Sequence, residues 1–192
     1  MATSGLLNAI NSTLAAVGAI PYNWGNLSIA QSSPNALFQL VAMWNDQVNR
    51  EKDGSGYTFA KPACFLELVM GDSGTLSDNV SWSNIDMRFH IVDMQLDAAN
   101  GTMDQNLQVF AYRDLLKNVM VGFAPTNCST LFYADEKQDY THTDVYHYIL
   151  CLKCGFKDLK GSTLDPDQTK VIYKEPDTDM ELNIGFGDPP SG

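Results

Sequence analysis

At 192 residues the chain is long enough for one domain with a full hydrophobic core and cramped for a second. A formal net charge of −11 argues against general affinity for nucleic-acid backbones or anionic lipid, because both need Lys and Arg to release counterions. No apolar run approaches the ~18 residues of a membrane span, and the opening Met-Ala-Thr-Ser-Gly lacks the basic segment of a secretion signal, so a soluble product with no membrane partner is expected.

Leu6, Leu7, Ile10, Leu14 and Val17 recur at spacings of three and four and predict a short helix over residues 4–17 with one apolar stripe, facing the core or a neighbouring subunit. Residues 20–34 have loop composition. Residues 37–44 are expected to form a buried strand, although they also fit a helix capped at Ser33 with Pro34 at its first position. Polar, Gly-rich residues 45–59, around Asp53-Gly54-Ser55-Gly56, suit a mobile connection. Residues 61–70 read as a strand, with Pro62 placed where a missing N–H does least harm, and residues 71–79 as a loop. Residues 80–97 are long for one strand, so the first half is expected to overhang the core as a hairpin arm suited to contact with a partner.

A helix starting near Asp104 and ending by Phe123 is predicted to lie across the sheet on Leu107, Phe110, Ala111, Leu115, Val119 and Met120. Residues 128–133 and 145–152 return to strand composition, joined by a polar connection from Asp135 to Asp144. The expected fold is α+β: a mostly antiparallel sheet of about five strands, one long helix packed across it and a short N-terminal helix. Residues 1–156 form the single domain. Residues 157–192 form an acidic, proline-containing tail that orders only on assembly.

Four short motifs suggest chemistry. Gly71-Asp72-Ser73-Gly74 matches the nucleophile signature of chymotrypsin-like proteases, but that family places its base before the Ser, and His90, His142 and His147 all follow it. Cys151-Leu152-Lys153-Cys154 has redox or zinc spacing, yet it sits in an apolar strand with only Cys64 and Cys128 to complete a ligand set, so buried structural thiols are expected. His142 and His147 lie five apart, on opposite faces of a strand, and are read as ordinary polar or half-buried residues that cannot chelate together. Asp177-Thr178-Asp179 lacks the Gly and Glu of a calcium loop. No catalytic residue, cofactor or metal is expected.

The segment Val41-Ala42-Met43-Trp44-Asn45-Asp46-Gln47, then Tyr57-Thr58-Phe59-Ala60-Lys61-Pro62-Ala63-Cys64-Phe65-Leu66-Glu67, and finally Asp144-Val145-Tyr146-His147-Tyr148-Ile149-Leu150, resembles the tail terminator or tail completion proteins of phages and prophages of Bacteroides-type hosts. The likeness spans residues 37–154 and rests mainly on Trp44, Gln47, Pro62, Phe65 and Tyr146. It implies a virion structural protein of the tail or neck, assembled in the host cytoplasm, that forms a ring joining the tail to the portal or connector. DNA would pass through without specific binding. A hexamer or dodecamer follows by analogy, and acidic walls would not trap the passing phosphates. The overlong strand arm from Val80 to Arg88, suited to pairing across subunits, and short apolar pieces of the tail are the expected contacts: Val80, Trp82, Asp86, Arg88, Val171, Ile172, Tyr173, Leu182 and Ile184. A small monomeric adaptor or binding module, and an α+β enzyme with a hidden site, stay open as alternatives.

Overall fold

The computed structural model describes residues 5–21, 36–52, 57–77, 80–94, 108–141 and 145–159. All fall in the first of two units, Met1–Lys160, and the second, Gly161–Gly192, lies outside the described residues. In chain order the elements are α1 (Gly5–Gly18), β1 (Leu40–Met43), α2 (Gln47–Lys52), β2 (Ala63–Ser77), β3 (Val80–Met94), α3 (Gln108–Met120), β4 (Phe132–Asp139) and β5 (Val145–Leu159).

Ile85, Met87, Phe89 and Ile91 alternate with Asp86, Arg88 and His90, and this period of two gives β3 two different faces. The strands form one sheet in the order β1-β2-β3-β5-β4. The fold is α+β, but the sheet is mixed where a mostly antiparallel one was expected: β1 runs parallel to β2, and the other neighbours are antiparallel. Parallel neighbours need a crossover of about a dozen residues or more, and residues 44–62 supply it. The expected mobile connection therefore contains a helix, α2, entered through Asp46 at φ 56°. The strand predicted over residues 37–44 exists as the four residues of β1.

One sheet face carries the main core. Cys64, Leu66, Ile85, Met87, Phe89, Ile91, Leu150, Leu152, Cys154 and Phe156 meet α1 and α3 there. α1 buries Ala9, Thr13 and Val17, with Leu6 and Leu14 half-buried and Leu7 exposed, so the predicted stripe is rotated. Small side chains at 9 and 13 let the helix approach closely; the Thr13 hydroxyl donates to the Ala9 carbonyl at 2.8 Å and contacts Met87 Sδ.

α3 is described over 13 residues, so the one long helix expected is not shown, and it buries Val109, Tyr112, Leu116 and Met120. Phe110 and Val119, predicted to face the core, are 40% and 44% exposed, and Leu107 lies outside the described residues. Apolar residues occupy both sides of this helix, and Tyr112 sets its phase: the phenol is fully buried and hydrogen-bonded to the Asp93 carboxyl.

The opposite sheet face has a smaller cluster, Val48, Ala63, Phe65, Val92 and Val145, packed with Leu40, Ala42, Trp44 and Phe59. Beyond it the hairpin of β2 and β3 runs on. Residues 71–77 are strand, with register shifts at Met70/Ser73 and Thr75/Ser77, where a loop was expected. Gly74 leaves room there for Trp82, which lies over it: a Cβ would stand 2.7 Å from the indole Nε1 unless the ring shifted. β4 likewise starts at Phe132 and takes in Asp135 to Asp139, residues expected to be a connection, while Cys128 makes only an isolated bridge to Phe156.

Candidate functional site

On the second face, four titratable side chains from four neighbouring strands join into one chain. Glu67 comes from β2, His90 from β3, His147 from β5 and Asp139 from edge strand β4. Glu67 Oε2 lies 3.2 Å from His90 Nε2; His90 Nδ1 lies 2.9 Å from His147 Nε2; His147 Nδ1 lies 3.2 Å from Asp139 Oδ2. The strand register brings them together, since Val92 pairs with His147, Phe65 with His90, and Asp139 with His147.

Both imidazoles are buried, with 5% and 3% of their side chains exposed. Trp44 covers them. Its indole stacks on His90 at a centroid distance of 4.0 Å and 9° between planes, and on His147 at 5.3 Å. Phe65 packs on Trp44, and Phe59 packs edge-on against Phe65. The Gln47 side chain fixes the turn carrying Trp44, accepting from the Asn45 N–H and donating to the Met43 carbonyl, both at 2.7 Å. Trp44, Gln47 and Phe65, three of the residues that carry the family resemblance, thus build or brace this cover. Lys61-Pro62, in cis, leads into β2 beside it.

Burial pulls His90 below the ordinary imidazole range, and the Glu67 carboxylate opposes that shift. Glu67 also receives Arg88 Nη1 at 3.3 Å, so a cation holds the β2 end of the relay. At the β4 end, Asp139 Oδ1 accepts from the Thr141 N–H and hydroxyl.

Beside the relay the same face opens into a shallow cleft of about 110 Å³, lined by Asp86, Arg88, Asp135, Lys137, Ile149, Cys151 and Lys153. Lys153 pairs loosely with Asp86 at 3.7 Å, and burial pushes the Cys151 thiol up to about 11, so it is no thiolate at neutral pH. Of the predicted contact residues, Asp86 and Arg88 enter this cleft, while Val80 and Trp82 share its face farther along the arm. The expectation of free backbone on this arm is corrected. β3 is the middle strand, paired from Val80 onward with both β2 and β5. Val171, Ile172, Tyr173, Leu182 and Ile184 lie outside the described residues.

The other motifs separate. Ser73 pairs with Ser83, which is seven residues, or about 23 Å of strand, from His90. Cys151 points to the cleft and Cys154 to the main core; Cys154 and Cys128 are both free thiols, and hydrogen bonding between them raises Cys154 and lowers Cys128. Among the described residues no three His, Cys, Asp or Glu side chains are grouped to hold a metal, and no helix is long and apolar enough to cross a membrane. His147, read from sequence as ordinary, is buried in the relay; His142 lies outside the described residues. Its true partner, His90, is 57 residues away, and the only signal was a His at an inward position of each of two strands. No protein-family model matches the chain, and no curated protein sequence matches it.

Proposed function

We propose that the chain is a non-enzymatic virion structural protein of the tail-terminator or tail-completion class. It forms a cyclic homo-oligomer, a hexamer or dodecamer, at the head-proximal end of a phage tail, between the portal or connector and the tail tube. DNA passes through its acidic ring without specific binding. The observation that carries this reading is the hairpin arm. β1 covers the outer edge of β2 only from Ala63 to Leu66, and among the described residues no strand pairs with that edge from Glu67 to Ser77. Such an edge offers backbone N–H and C=O groups for a strand from a neighbour. Tail pieces 171–173 and 182–184 are the candidate added strands.

The test is native mass and electron microscopy of three proteins: the full chain, a truncation after Lys160 that keeps β5 whole, and Met70→Lys, which puts a charge at an exposed position of the open edge. Rings from the full chain that are lost in both variants, with the fold retained, support the reading. A full chain that stays at 21.2 kDa with and without tail-tube template overturns it.

A further inference from the structure

The Glu67–His90–His147–Asp139 chain makes one more contact than the protons of two neutral imidazoles can fill. Two ionised carboxylates accept hydrogen bonds and donate none. The Glu67 contact therefore needs a proton on His90 Nε2, and the Asp139 contact needs one on His147 Nδ1. If both rings are neutral, those are their only N–H groups. Two lone pairs then face each other across the 2.9 Å between His90 Nδ1 and His147 Nε2. Moving either proton into that gap only transfers the clash to one of the 3.2 Å contacts. Three contacts therefore require three protons, one more than two neutral imidazoles carry.

We infer that the dyad is a proton-binding site that takes up one proton from solvent, shared between His90 and His147, and that Asp139 is the contact that opens when the proton leaves. Glu67 is the less able to move, because Arg88 holds it. Asp139 sits at the end of edge strand β4, where Thr141 already bonds its other oxygen. Loss of the proton therefore leaves the arrangement Glu67⁻, His90 Nε2–H, His147 Nε2–H donating to His90 Nδ1, and an unprotonated His147 Nδ1 facing Asp139. A second added proton is excluded, since it would place two N–H groups head to head in the central gap.

Charged groups of both signs surround the dyad among the described residues. Glu67 faces it from β2, Arg88 from β3, and Lys137 and Asp139 from β4. Ile149 of β5 is apolar, and from the α2 side the Lys61–Glu51 ion pair is separated by Phe59, Phe65 and Trp44. The Trp44 face at 4.0 Å favours a protonated ring, so proton binding also tightens the cover.

Two amide substitutions test this, because each supplies the missing proton from an opposite end. In Asp139→Asn the side-chain NH₂ donates to His147 Nδ1, all three contacts are made with neutral rings, and His147 becomes the Nε2–H tautomer. In Glu67→Gln the NH₂ donates to His90 Nε2, and His90 becomes the Nδ1–H tautomer. The readout is long-range ¹H–¹⁵N spectra of the ¹⁵N-labelled full chain between about pH 5 and about pH 8, a range that brackets the ordinary imidazole pKa. Spectra of His142→Gln assign the third ring. The expected result is one proton titrating both rings together in the natural chain, no uptake by the dyad in either variant, and opposite tautomers in the two. Separate titration of the two rings in the natural chain, or the same tautomers in both folded variants, overturns the inference. If one variant does not fold, the other still decides through its own tautomer.

Discussion

Replacing Leu116 by Ala removes three carbons from the middle of the main core, where the side chain is fully buried beneath the sheet with Val109, Tyr112 and Met120 of the same helix. Leu-to-Ala changes at such sites cost about 2 to 5 kcal/mol, because the lost transfer energy is joined by a cavity term. Phe110→Ala differs. Its ring is 40% exposed and meets Tyr148 edge-on at 6.0 Å, so truncation opens a surface notch instead of a cavity. Losing that aromatic pair and the partial burial should cost about 1 to 2 kcal/mol. Urea melts with unchanged m-values give the comparison. In thermal melts Leu116→Ala should fall by roughly 6 to 12 °C, taking about 3 kcal/mol and about 2 to 4 °C for each. Phe110→Ala costing as much as Leu116→Ala would show that the face of α3 is wrongly assigned.

Burial raises the Asp93 carboxyl to about 6, above its ordinary value, with the Met94 N–H and Tyr112 hydroxyl pulling the other way. A raised folded-state value means the folded chain takes this proton before the unfolded chain does, so the group costs stability above about pH 6 and the cost fades as the pH falls toward about 4. Asp93→Asn should therefore stabilise at pH 8 by up to about 3 kcal/mol, less whatever solvent screening removes, with the gain shrinking toward pH 4; a pH-independent difference in urea melts would contradict this. Gly74→Ala should displace the Trp82 indole from the strand arm and cost about 1 to 3 kcal/mol, seen as a shift in Trp near-ultraviolet dichroism, and an unchanged spectrum would show that the indole does not rest on Gly74.

The strands with an apolar inward row were legible: Ile85 to Ile91 and the Phe65 region announce themselves by period two. Strands without such a row were not. Residues 71–77 of β2 are Gly, Asp, Ser and Thr for most of their length, and β4 is an edge strand with polar side chains on both faces, so each looks like a loop until its neighbours are known. The phase of α3 was ambiguous for the opposite reason. Val109, Phe110, Tyr112, Leu115, Leu116, Val119 and Met120 ring most of its circumference, and periodicity cannot say which of two apolar stripes a sheet will bury. Parallel pairing of β1 was hidden because its proof is the crossover, and α2 within it is only six residues.

The relay was illegible for a deeper reason, which bears on what it does. A sheet face is closed either by a helical layer or by side chains from its flanking loops, and here α1 and α3 are both spent on the first face. The second face is left to Trp44, Val48 and Phe59, a cover wide enough to bury two imidazoles but not the carboxylates at their ends, which stay 31% and 25% exposed. A polar network half inside a low-dielectric interior is stable only when each member is satisfied. That requirement selects the acids at both ends, the stacked indole between, and the Gln47 brace that holds the indole in place. The local pattern around Trp44 and Phe65 therefore has a physical cause in closing this polar site, whereas the assembly we propose draws on the open edge of β2. The two lie on one sheet but draw on different atoms, side chains for the first and backbone for the second. Amide substitutions in the relay change protonation without touching the edge, and a charge at Met70 does the reverse.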